Sequence, residues 1–234
     1  MDLVSKVQLV LGSGPGIAAT GFRFVLQPLY IGLAKPRKQA PPGAMDLVFR
    51  TVRAALFVVR CHEGLTMVLM NRIETIGVDL GGTKLAVGVV DGEPKTLWSD
   101  QVPSNGYSQE GLIDLLAEQI NRAHEARPDA RAAGVGIPAT IDFESGHAVS
   151  TVNLDLEDLP IKDLLQERVG LPTVIDNDAN LAMLAEALYG AARGADYALM
   201  LTLGTGIGGG IWIGGEIFRG STGSGAELGH TVVD

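Results

Sequence analysis

The chain has 234 residues, 46% of them hydrophobic and 19% charged, with a formal net charge of −9. That composition fits one or two globular domains, and the acidic balance argues against a nucleic-acid partner for the chain as a whole. A single cysteine, Cys61, excludes an internal disulfide framework and any zinc site built from several cysteines of this chain.

The average conceals a break near residue 70. Residues 1–70 hold eight Lys/Arg and three acids, net +5, whereas the remainder holds ten and 24, net −14. The first part shows no clear period. Gly, Ser and Pro crowd residues 11–16, and the run from Lys35 to Gly43 interrupts any helix or strand. Met45 to Arg60 has the pattern of a basic amphipathic helix, a form suited to membrane surfaces. Arg23 and Pro28 break the apolar stretch a secretory signal needs. No 18-residue apolar run suggests a transmembrane helix. Residues 1–69 are therefore expected to be an irregular extension upstream of a start at Met70. A DNA-binding domain is the alternative, but no pair of periodic helices joined by a short turn is legible.

From residue 70 the chain becomes coherent. Residues 74–80 and 85–90 read as two strands joined by a glycine turn. Asp91-Gly92 signals a hairpin, and Lys95 to Gln101 is a third strand. Leu112, Ile113, Leu115, Leu116 and Ile120 recur at helical spacing and predict a helix over 109–126, stopped by Arg127-Pro128. Ala132 to Pro138 is a buried strand leading into Ala139-Thr140-Ile141-Asp142. A short helix over 161–169 ends at Gly170. A strand follows over Thr173 to Asp176, then a helix over 179–189 ended by Gly190. Strands over Tyr197 to Leu203 and Ile207 to Gly214 come last. A strand meander followed by alternating strands and helices indicates a mixed α/β fold, with a second domain beginning near residue 195.

Two loops carry the chemistry. In Ile76-Gly77-Val78-Asp79-Leu80-Gly81-Gly82-Thr83-Lys84, an apolar strand runs into an acid and then a glycine turn. Gly81 and Gly82 let the backbone approach a phosphate with N–H groups directed at it. Thr83 adds a hydroxyl and Lys84 a charge. Asp79, at the strand end, is placed to hold a hydrated Mg²⁺. The second loop is Leu203-Gly204-Thr205-Gly206-Ile207-Gly208-Gly209-Gly210. Neither is a G-x-x-x-x-G-K-[ST] loop. Gly204, Gly206 and Gly209 fit G-x-G-x-x-G, but apolar residues follow on both sides, so this loop joins two strands and opens no helix. Each loop alone also reads as a tight hairpin turn; two of them suggest a nucleotide clamped between two domains.

Asp176-Asn177-Asp178-Ala179-Asn180 follows a strand and opens a helix, where a carboxylate is shielded and oriented as a general base should be. Asp and Asn are also the favoured helix caps, so one residue can cap while its neighbour catalyses. Glu227 and His230 lie three apart among glycines, within reach of one ligand if that segment is helical, or solvated in a loop otherwise.

In order, the stretches DLGGTK, GIPATID, DNDAN, LGTGIGGG and GAELGH closely resemble the ROK family (repressors, open reading frames, sugar kinases), from Ile73 to Asp234. Within it the chain is similar to the bacterial glucokinases. The resemblance implies the actin-like ATPase (ribonuclease H-like) α/β fold: a first lobe over 70–194 and the start of a second over 195–234. It implies a C-terminally truncated chain whose second lobe leaves strand edges and an apolar face uncovered.

By the same resemblance, Asp79, Gly81, Gly82, Thr83 and Lys84 form the first phosphate loop and Gly204, Thr205 and Gly206 the second. Asp178 is the base that takes the proton from a sugar 6-hydroxyl, which attacks the γ-phosphate of ATP. Asn177, Asp178, Glu227 and His230 hold the sugar. His230 also matches the first ligand of a zinc site whose other ligands are missing here. The implied partners are ATP, Mg²⁺ and a hexose, with zinc confined to full-length relatives. A cytoplasmic protein is implied, with no nucleic acid and no membrane, and a homodimer if complete. Glucose 6-phosphorylation is the leading expectation. Fructose, N-acetylmannosamine or N-acetylglucosamine are alternative substrates, and a sugar-responsive repressor is the alternative class.

Overall fold

The computed structural model describes residues 7–13, 25–27, 73–91, 95–151, 154, 156–203 and 206–232. Its strands are β1 (Val7–Ser13), β2 (Val25–Gln27), β3 (Glu74–Leu80), β4 (Lys84–Val90), β5 (Thr96–Pro103), β6 (Ala130–Ile137), β7 (Ala139–Asp142), β8 (His147–Thr151), β9 (Thr173–Asn177), β10 (Tyr197–Leu203), β11 (Ile207–Ile213) and β12 (Glu216–Ile217). The helices are α1 (Gln109–Ala126), α2 (Ile161–Val169) and α3 (Asp178–Tyr189).

The first sheet has the order β5-β4-β3-β6-β9. The meander β3-β4-β5 is antiparallel, while β6 and β9 join β3 in parallel. Ile76, Val78 and Leu80 of β3 pair with Val89, Val87 and Leu85 of β4 on one face of the sheet, and all six are fully or almost fully buried. On one side α1 inserts Leu112, Leu116 and Ile120, joined in one core by Ile161 and Leu165 of α2. Each such side chain contributes about 1.5–3 kcal/mol on burial. Ser108 caps α1 by accepting the Gly111 N–H at 3.3 Å. Gly170 ends α2 at φ 66°, the left-handed conformation that favours glycine at this position. At the far end of α1, Arg127 forks onto the Glu74 carboxylate, with Nε to Oε2 at 2.8 Å and Nη2 to Oε1, tying the helix end to the start of β3.

The second sheet, β12-β11-β10-β1-β2, is antiparallel throughout. A separate core of Ala182, Met183, Leu184, Met200 and Trp212 packs α3 onto it. The helix therefore lies between the two sheets.

Two features depart from the sequence reading. Within residues 1–69, expected to be irregular, Val7–Ser13 forms a seven-residue ladder with Tyr197–Leu203. An open strand edge offers a row of unpaired N–H and C=O groups, and the β1 backbone meets that of β10 along it. The helix expected over residues 45–60 lies outside the described residues. The second is the β7–β8 hairpin: Ala139-Thr140-Ile141-Asp142, read from the sequence only as the stretch after a buried strand, forms β7 and pairs with His147–Thr151. Polar Ser150 and Thr151 give its second strand no hydrophobic pattern, and its pairing with β7 defines it.

Candidate active site

The parallel strands gather the acidic motifs at one end of the first sheet. Asp79 on β3 pairs in register with Gly136 on β6, which pairs with Asp176 on β9. Carboxyl ends of parallel strands are where open α/β sheets hold ligands. A Cβ built on Gly136 would lie 3.5 Å from Asp178 Cα and 3.7 Å from Val78 O. With glycine at this point, no side chain of β6 stands between the β3 end and the start of α3.

The Gly81-Gly82-Thr83 turn joins β3 to β4. Gly81 N–H donates to Lys84 O at 2.8 Å, and Gly82, Thr83 and Lys84 are exposed. Ser104, buried just past β5, holds the turn from behind. Its Oγ donates to Gly81 O at 2.6 Å and its N–H donates to Thr83 O at 3.1 Å. Asp79 is half-buried at the mouth of this turn. One carboxylate acting through water is a usual protein share in holding Mg²⁺ beside phosphates, so Asp79 fits that ion.

At the β9–α3 junction three neighbours divide the work. Asn177 is the cap: its Oδ1 accepts the N–H groups of Ala179 and Asn180 at 2.9 and 3.1 Å, and its Nδ2 donates to Ala139 O at 3.1 Å. Asp178, half-buried, is the first helical residue. Asp176 is 1% exposed. Its Oδ2 accepts Arg219 Nε and Nη2 at 3.1 and 2.7 Å. Its Oδ1 accepts the Asn177 N–H at 2.8 Å and Asn180 Nδ2 at 3.2 Å. Burial pushes the Asp176 carboxyl above the usual carboxylate range, against the pull of Arg219 and of the Asn180 and Asn177 donors.

The second loop is more divided than its sequence suggests. Gly204 and Thr205 lie outside the described residues. Gly206 is exposed with open space around it, as a ligand-facing turn requires. Gly208, Gly209 and Gly210 sit within β11 and serve packing. Cβ atoms there would come within 2.6 Å of Thr202 Oγ1, 2.3 Å of Ala226 O and 2.4 Å of Met183 Cβ. These close approaches seat β11 on the first turns of α3 and on the segment after residue 225.

Glu227 and His230 flank a short 3₁₀ turn, Leu228–His230, with His230 Nε2 3.8 Å from Glu227 Oε2. Gly229 lies against Ile207 O, which fixes this turn beside the Gly206 end of the hairpin. Among the described residues no three His, Cys, Asp or Glu side chains converge as a metal site, and the carboxylate near His230 is that of Glu227.

The sequence motifs point to Asp178 and Asn177, whereas the parts played by Asp176, Arg219, Ser104 and Gly136 emerge from the structure. An acid inside the apolar run Thr173-Val-Ile-Asp176 was the available signal for a buried, partnered carboxylate.

Two sheets with a helix between them, and a glycine turn at the carboxyl end of β3, are arranged as in the actin-like ATPase fold of the ROK kinases. The ROK glucokinase of Streptomyces griseus, solved with glucose and AMPPNP, superposes with a TM-score of 0.63 at 41% identity, over 69% of this chain and 51% of that one. The ROK family profile matches residues 75–234, and the chain belongs to the ROK family. It is 41% identical to the glucokinase of Thermotoga maritima over 70% of this chain and 52% of the relative. It is 39% identical to that of Halalkalibacterium halodurans over 68% and 49%. The chain spans about half the length of the curated relatives it matches. Among the described residues no helix is long and apolar enough to cross a membrane.

Proposed function

We propose that this chain carries the phosphate turn and the catalytic base of an ATP-dependent hexose kinase, with glucose phosphorylated at its 6-hydroxyl. The observation that supports it most is the register Asp79–Gly136–Asp176, which aligns the turn and the Asn177–Asp178 pair on neighbouring strand ends with only a glycine between them. Residues 70–194 are the first lobe in this reading and residues 195–234 the beginning of the second.

Asp178 accepts the proton of the sugar 6-hydroxyl. The hydroxyl oxygen forms a bond to the γ-phosphorus, the bond from that phosphorus to the β–γ bridging oxygen breaks, and ADP leaves with that oxygen. Phosphoryl transfer asks the protein mainly for positioning and charge neutralisation. Gly81, Gly82, Thr83 and Lys84 hold the phosphates, and Gly204, Thr205 and Gly206 are the second phosphate-binding stretch in this reading. Mg²⁺, held by Asp79 through water, supplies charge neutralisation when bound. Asn177, Glu227 and His230 bind sugar hydroxyls. A site built from hydrogen bonds rejects sugars lacking the matched groups.

The test is ADP release by the purified chain with ATP and Mg²⁺, comparing glucose, fructose, N-acetylmannosamine and N-acetylglucosamine. Release with glucose well above the others supports the reading. Equal, sugar-independent ADP release, or a preference for another sugar, rejects glucose. Silence with all four rejects kinase activity for this polypeptide.

A further inference from the structure

We propose that Arg219 is a positioning residue for the Asn177–Asp178 pair, coupling its geometry to the segment that carries Glu227 and His230. The inference rests on the kinase reading for its consequence in turnover, but its structural part stands alone.

Arg219 follows β12 in the second sheet, yet its guanidinium reaches the end of β9 in the first. Both nitrogens that bond Asp176 fall on Oδ2. This leaves Oδ1 to the Asn177 N–H and to Asn180 Nδ2. The carboxylate thus clamps the backbone one residue before Asp178 and the side chain two residues after it. A carboxylate this buried stays charged only beside a compensating cation, and Arg219, itself 18% exposed at the side chain, supplies it.

The same guanidinium lies 3.7 Å over the Phe143 ring, just past β7. Arg219 is therefore held between the hairpin and β9. Its carbonyl accepts the Gly225 N–H at 2.8 Å, closing a loop whose Gly223 rests on Ile141 O. Ala226 and Glu227 follow at once. One residue thus ties the hairpin to the β9–α3 junction through its side chain, and the loop leading to Glu227 through its carbonyl. A lysine would keep the charge but lose the planar fork and the stacking.

The experiment compares Arg219→Lys, Arg219→Met and the double variant Arg219→Met/Asp176→Asn in the full chain. Amide hydrogen exchange is read at residues 177–180, with α1 as the internal reference. Both single variants are expected to exchange at least ~10-fold faster at 177–180, following the loss of charge-assisted hydrogen bonds, with α1 unchanged. Unchanged exchange at 177–180 in Arg219→Lys and Arg219→Met overturns the proposal. So does acceleration spread equally through α1, which marks a general stability role.

The double variant guards against a single variant that fails to fold, because it removes the uncompensated charge. Its exchange at 177–180 should remain fast in a folded chain, and protection equal to wild type there overturns the proposal. With wild-type ADP release in hand, Arg219→Lys should lower kcat ~10-fold or more while KM for ATP stays within twofold. An unchanged kcat overturns the coupling to turnover. A wild-type chain that releases no ADP sinks the kinase reading, while the exchange data still decide the positioning role.

Discussion

Ser104 Oγ donates a 2.6 Å hydrogen bond to the Gly81 carbonyl, 23 residues earlier in the chain. Because a trans peptide is planar, its C=O and the following N–H point in opposite directions. With the Gly81 carbonyl turned back to Ser104, the Gly82 N–H faces outward from the exposed turn. The turn thus presents a donor and not an acceptor to an arriving phosphate.

Ser104→Ala removes this anchor and frees the Gly81–Gly82 peptide to rotate. One hydrogen bond contributes about 0.5–1.5 kcal/mol, so nucleotide affinity should fall ~2–10-fold while sugar affinity stays within twofold. Calorimetric titration with AMPPNP and with glucose separates the two. An equal loss for both ligands would place the effect in the fold and not in the turn.

Asp178→Asn keeps a side chain of the same shape at the first position of α3, beside an intact Asn177 cap. Folding should be unaffected, and glucose should still raise the melting temperature. Turnover should drop by ~10²–10⁴, the range general-base removal typically costs. Sugar-dependent ADP release within tenfold of wild type would remove Asp178 from that role.

Helices α1, α2 and α3 are legible in the sequence because period and punctuation agree. The helix expected over 109–126 is observed as Gln109–Ala126, and that over 161–169 as Ile161–Val169. What stayed hidden depends on contacts distant in sequence. Nothing near Arg219 announces a partner 43 residues away, nor does Ser104 announce Gly81. The glycine run from Gly204 to Gly210 misled in another way. Glycine serves both phosphate approach and close packing, and a sequence does not separate the two uses. Gly206 has open space, whereas Gly208, Gly209 and Gly210 have close neighbours.

That division is testable. Gly210→Ala places a methyl 2.4 Å from Met183 Cβ and 3.0 Å from Ala179 O, and neither atom lies at the end of a flexible side chain. Overpacking of this kind costs about 1–3 kcal/mol, so the urea midpoint should fall. Gly206→Ala, with nothing within 4 Å, should leave stability unchanged and affect nucleotide affinity only. A Gly206→Ala chain as unstable as Gly210→Ala would contradict the packing argument.

The Glu74–Arg127 fork gives the fold an acid sensitivity with a defined sign. The hydrogen bonds from Arg127 hold the Glu74 carboxyl below its ordinary range. A carboxylate lowered in the folded state adds stability that is fully present above its unfolded pKa, about 4.3. That stability is lost as pH falls through the lower folded value. The stability difference between wild type and Glu74→Gln should therefore stay level from pH 7 to about pH 5 and shrink below that. Urea unfolding of the two chains across this range measures it. A difference that persists undiminished at pH 3 would mean that Glu74 stabilises β3 through packing of its stem and not through its charge.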